Sequence, residues 1–167
     1  MNIKNTHTLK NLYLDLEGTL IKGFNNSKIL HKDIIINFIN EYQPDNICVF
    51  SYAISNEEDK EVFSTHLENL LHKEFNIIFD NIISIDDMIS VISKYDINCP
   101  NNFALFPNHY SKKTAFIKFC SSLRNEDTHL LIDDSIGLIE ETINTIHTLP
   151  IQVLEERYLK KYKKKIT

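Results

Sequence analysis

A chain of 167 residues with 43% apolar and 25% charged side chains has the length and composition of one globular domain with its own core. Its formal net charge of -5 excludes a body that holds nucleic acid through a general basic field, and it lacks an apolar run of the ~20 residues that crosses a bilayer. Three cysteines (Cys48, Cys99, Cys120) without metal-type spacing, and no leader-like segment, are what a reduced, cytoplasmic protein is expected to show.

The run Leu12-Tyr13-Leu14 predicts a buried strand over 11–16 that delivers Asp15, followed at once by Gly18-Thr19. Helical spacing predicts a helix over 34–42, and Pro44-Asp45 introduces a second strand over 46–51. Asn56 fits as the N-cap of a long amphipathic helix with Val62, Phe63, Leu67, Leu70, Leu71 and Phe75 on its inner face. A third strand is expected within 77–85, broken near Asp80-Asn81, then a short helix capped by Ser84 or Asp86. Phe103-Ala104-Leu105-Phe106 reads as a strand, 107–110 as a loop, and Ser111 as the cap of a helix reaching 123. A strand over 129–132, a helix over 136–146 and a short strand over 151–154 complete a domain of residues 1–155. Residues 156–167, with Arg157, Lys160, Lys161, Lys163, Lys164 and Lys165, read as a basic C-terminal tail, open to weak nucleic-acid contact.

Strands alternating with helices predict the α/β class: a three-layer sandwich with a mostly parallel, Rossmann-like sheet and helices on both faces. Ligands of such folds bind beyond the carboxyl ends of the strands. Three apolar runs end in residues suited to chemistry there: Asp15, Ser51 and Asp133-Asp134. Lys112 can reach in from the start of its helix. Carboxylates, a hydroxyl and an ammonium converging on one edge suit Mg²⁺-assisted phosphoryl transfer. The histidines show no metal-ligand spacing, and His109 reads as a surface residue.

Four segments in chain order resemble the motifs of the haloacid dehalogenase-like (HAD) phosphohydrolases. They are Asp15-Leu16-Glu17-Gly18-Thr19, Ser51 at a strand end, Lys112 or Lys113 in Ser-Lys-Lys-Thr-Ala-Phe with Lys112 favoured, and Asp133-Asp134 after Leu130-Leu131-Ile132. The resemblance implies that Asp15 attacks phosphorus and becomes an aspartyl-phosphate, with Glu17 as acid and base. It implies that Mg²⁺ is held by Asp15, the backbone carbonyl of Glu17, Asp133 and Asp134, and that Ser51 and Lys112 bind phosphoryl oxygens beside the Gly18-Thr19 turn. A response-regulator receiver has similar residue types, but its acidic pair comes early, whereas here it comes late.

The stretches 21–45 and 86–110 leave no room for a large cap domain. A small capless member of the family is implied, with Lys22, Gly23, Phe24, Asn25 and Asn26 as a substrate-contacting flap. Its substrate would be a small or macromolecular phosphomonoester, a nucleotide or polynucleotide end among them, and a homo-oligomer with a partner subunit as lid is compatible. No membrane partner is expected. Glu17 departs from the aspartate that the family uses. Its reference pKa is similar, but one extra methylene moves the carboxyl by ~1 Å, and a misplacement of that order can cost about 10²-fold in rate. An adapted phosphatase, a slow one, and an inert binding module all remain open on this point.

Overall fold

Leu12, Tyr13 and Leu14 are all buried, as a central parallel strand requires, because successive side chains face opposite sides of a sheet covered on both. In the computed structural model, which describes residues 8–120, 126–143 and 145–163, they belong to β1 (Lys10–Leu14). A hairpin of β2 (Ile21–Gly23) and β3 (Asn26–Ile29) follows, then α1 (Lys32–Tyr42), β4 (Asn46–Phe50), α2 (Glu57–His66), α3 (Glu68–Phe75), β5 (Asn81–Ile83) and α4 (Ile85–Tyr95). After a 3-10 turn at Phe103–Leu105 come α5 (Asn108–Ser111), α6 (Lys113–Cys120), β6 (Thr128–Asp133), β7 (Glu141–Ile143), β8 (Ile146–Pro150) and α7 (Ile151–Lys163).

Six strands form one sheet in the order β5-β4-β1-β6-β8-β7, parallel except for the outer strand β7. Leu12, Leu14, Val49, Leu130 and Ile132 face a layer with Ile35 of α1, Leu71 and Phe75 of α3, and Leu154 of α7. Tyr13, Cys48, Phe50 and Leu131 face the opposite layer with Met88 and Ile92 of α4 and Phe116 and Ile117 of α6. Helices therefore cover both sides of a mostly parallel, Rossmann-like sheet. Among the described residues, no helix is long and apolar enough to cross a membrane.

Several boundaries differ from the sequence expectations, each for a local reason. Asn56 does cap a helix, its side chain accepting from the Asp59 N–H at 2.9 Å, but that helix ends at His66 and a second begins at Glu68. Val62, expected on the inner face, is exposed, while Phe63 and Leu67 are buried. Ser84 rather than Asp86 caps α4, through a reciprocal bond pair with Asp87 at 3.0 and 3.1 Å. The expected strand at 103–106 is a 3-10 turn, because the Asn102 side chain accepts the Ala104 N–H at 3.0 Å and closes the chain on itself.

The expected loop at 107–110 is largely helical, and the continuation of α6 to 123 lies outside the described residues. The expected helix at 136–146 is a loop leading into the β7–β8 hairpin, in which β8 takes up the outer hydrogen-bonding edge of β6. The expected strand at 151–154 is the first turn of α7. That helix buries Ile151 and Leu154, so residues 156–163 continue a docked element and do not form a separate tail. Three of its cations are engaged along the way, Arg157 with Glu140, Lys160 with Glu156 at 3.0 Å and Lys161 with Glu41 at 2.8 Å.

Candidate functional site

The chain adds β4 and then β5 on one side of β1 and returns to place β6 on the other. That reversal of strand order opens a crevice beyond the carboxyl ends of β1 and β6. Leu14 pairs with Ile132 in parallel register, and the Asp15 N–H donates to the Ile132 carbonyl at 3.0 Å. Asp15 and Asp133 thus leave their strands side by side. One carboxyl oxygen from each of Asp15, Asp133 and Asp134 lies within 4.8 Å of the others. A set of three carboxylates offers the hard oxygen donors that Mg²⁺ prefers, and so fits such an ion.

The turn after Asp15 is shaped by Leu16, whose carbonyl accepts from the Leu20 and Ile21 N–H groups at 3.0 and 3.1 Å. Gly18 within it has φ of 77°, and a Cβ there would stand 2.0 Å from Oδ2 of Asp134. Glycine therefore serves twice, admitting a left-handed backbone and making room for a carboxylate. Gly18→Ala is expected to displace Asp134, weaken divalent-cation binding by roughly tenfold or more, and lower stability by about 1–3 kcal/mol. Calorimetric titration with Mg²⁺ and urea unfolding would check both; unchanged affinity would remove Asp134 from the metal set.

Lys113, and not the favoured Lys112, occupies the centre. Its Nζ donates to Asp15 Oδ1 at 2.9 Å, to the Phe50 carbonyl at 3.2 Å and, at short range, to Asp133 Oδ2. It also lies 5.3 Å from the ring centre of Phe50 and 5.1 Å from that of Tyr52. Lys112 is exposed and sits in extended backbone between α5 and α6, its carbonyl accepting the Ala115 N–H at 3.0 Å. The start of α6 thus falls one residue later than Ser111 implied. A helix N-terminus disfavours a cation, so the buried Lys113 depends on the two carboxylates that hold it.

Burial raises the Asp15 carboxyl to about 7, against the pull of Lys113 and with help from the neighbouring Asp133 charge. Burial also opposes ionisation of Asp133, yet Lys113 and the hydrogen bonds from Ser135 outweigh it and hold this carboxyl below its ordinary value. The Ser135 N–H and hydroxyl both donate to Asp133 Oδ1 at 2.8 Å, fixing the plane of the carboxylate. The two aspartates are thereby pushed apart. Asp133 is the standing anion, and Asp15 is the group whose charge depends on its surroundings.

The remaining expected residues fall close by. Ser51 is buried at the end of β4, next to the carbonyl that Lys113 binds, and its hydroxyl accepts the Ala53 N–H at 3.2 Å. Thr19 is buried and donates to Asp15 Oδ2 at 3.4 Å, so it orients the aspartate. The side chain of Glu17 is elsewhere: exposed, it accepts the Phe24 N–H of the β2–β3 flap at 2.7 Å, outside the acidic triad. Sequence reasoning noted Ser135 after the acidic pair but gave neither it nor Tyr52 a role. The Asp-Asp-Ser order could have exposed the first, because an Asx turn binds the N–H two residues on. Nothing local marked the second. Comparison of the chain with protein-family models, with curated proteins and with solved structures gave no match.

Proposed function

We propose that this chain is a Mg²⁺-dependent phosphomonoesterase of the HAD type, working through an aspartyl-phosphate at Asp15. The observation that carries this reading is the meeting of Asp15, Asp133, Asp134 and Lys113 at the switch point of the sheet. Bound at the three carboxylates, Mg²⁺ would offset the repulsion between a carboxylate and a phosphate dianion. An oxygen of Asp15 forms the new bond to phosphorus while the bond to the alcohol oxygen breaks, and Glu17 gives that oxygen its proton. Water then attacks phosphorus as Glu17 takes its proton, and the bond from phosphorus to Asp15 breaks, releasing phosphate and restoring the carboxylate. Lys113 holds Asp15 in place and faces the charge that builds on the phosphoryl oxygens. For this sequence Glu17 has to leave the Phe24 N–H, which ties proton transfer to movement of the flap.

That same Glu17–Phe24 bond favours a second reading, a metal- and phosphate-binding module without turnover. Hydrolysis of p-nitrophenyl phosphate with Mg²⁺, against a chelator control, separates the two. Metal-dependent turnover that falls by about 10²-fold or more in Glu17→Gln is the expected result. A wild-type protein that is inert while Glu17→Asp turns over would establish the binding module instead.

A further inference from the structure

Beside Lys113 the structure opens a cleft of about 350 Å³, bounded by the start of α6, the loop after Asp134 and the β7–β8 hairpin. That volume lies in the range of small-molecule pockets. Tyr52, Ile136, Ile143 and the methyl-bearing Thr114 and Thr148 contribute to its walls, which are mostly apolar. One wall is rigid before any ligand arrives: the Tyr52 hydroxyl donates to the Ser111 carbonyl at 2.5 Å, and its ring packs on Phe103 and Phe116. Lys113 lines this cleft and also binds Asp15, so the cleft and the carboxylate cluster share a wall.

Charge argues in the same direction. Lys112 and Glu141, of opposite sign, both line the cleft, and the Lys113 ammonium is taken up by Asp15 and Asp133, so these groups impose no net demand for an ionic guest. Between Ile136 and Glu141 the chain keeps Leu138 and Ile139 exposed, adding apolar surface to the loop that borders the cleft. The hydroxyls of Ser111, Ser135 and Thr148 already donate within the protein, and that of Thr114 has no partner among the described residues, so a polyol would regain few of the hydrogen bonds it gives up to water, whereas an apolar group gains by the same burial.

We propose that the cleft receives the alcohol portion of the phosphomonoester and selects an apolar one of about one aromatic ring over a polyol. This rests on the phosphatase reading above, which puts the phosphoryl group between Asp15 and Lys113. Benzyl phosphate and glycerol 1-phosphate make a fair pair, because both are esters of a primary alcohol and differ in carrying a phenyl ring or two hydroxyls. The wild-type protein with Mg²⁺ is expected to favour benzyl phosphate by about tenfold or more in kcat/KM, and Ile143→Asp to reduce that ratio by about tenfold. Ile143 is half-buried on an outer strand, and circular dichroism would verify that the variant folds.

The non-hydrolysable benzylphosphonate and methylphosphonate extend the test to binding alone, measured on wild-type protein by calorimetry. Tighter binding of benzylphosphonate without hydrolysis of either ester would retain the cleft as a ring-binding site and overturn the phosphatase reading. Equal kcat/KM for the two esters, or equal affinity for the two phosphonates, would overturn the proposed selectivity whether or not turnover is seen.

Discussion

In a chain that works as the proposed phosphatase, Lys113→Met is expected to lower turnover by about 10²- to 10³-fold, and to destabilise the metal-free protein by about 3–5 kcal/mol. The size follows from what the substitution leaves behind. Asp15 and Asp133 are both buried, and Lys113 is the ammonium that reaches them both. Removing it strands two carboxylates in a medium where their repulsion is poorly screened. Lys112→Met, one residue away, is expected to change stability far less, because its side chain is exposed. Urea unfolding of both variants with and without Mg²⁺ makes the check. A larger loss from Lys112→Met would reverse the assignment of the lysine.

Under the proposed phosphatase mechanism Asp15→Asn is expected to abolish turnover, by at least roughly 10³-fold, since an amide cannot attack phosphorus. The same variant carries an opposite signature in stability. Asp15 titrates near 7 when folded and near 3.8 when unfolded. Between those values the folded state binds more protons, so this group costs stability as pH rises through the window, and the cost is complete above about 7. Asp133, held below its ordinary value, has the reverse sign: its contribution is present above the unfolded pKa and lost only as pH falls through its folded value. In metal-free protein the stability of Asp15→Asn relative to wild type should therefore increase from pH 4 to pH 8, by a few kcal/mol at most. Thermal unfolding at several pH values measures it. A difference that is flat with pH would show that Asp15 titrates normally. Mg²⁺ affinity of the wild-type protein should weaken below pH 7 for the same reason, because a proton then competes at Asp15.

The strands that carry the site were legible because each is an apolar run ending in a polar residue. Leu12-Tyr13-Leu14, Cys48-Val49-Phe50 and Leu130-Leu131-Ile132 are buried on two faces, and a buried parallel strand has no polar alternation to hide it. The elements misread were those decided at long range. Residues 136–146 carry apolar side chains at spacings that fit a helix, but β6 needs an outer partner, and β8 supplies it. Residues 151–154 read as a strand because four residues cannot declare a period; only their continuation to Lys163 makes them a helix. Within the site, Asp15, Asp133 and Asp134 followed from sequence alone. The choice between Lys112 and Lys113 did not, because a shift of one residue in the helix start reverses which lysine faces inward. The parking of Glu17 on the flap depends on a backbone N–H, which no side-chain pattern announces.

The two margins of the sheet are β5 and β7, each only three residues long. A neighbouring chain that tried to extend the ladder by lying alongside either one would find few open N–H and C=O groups and gain few bonds. The six-stranded sheet is in this way guarded against strand-by-strand extension at its margins.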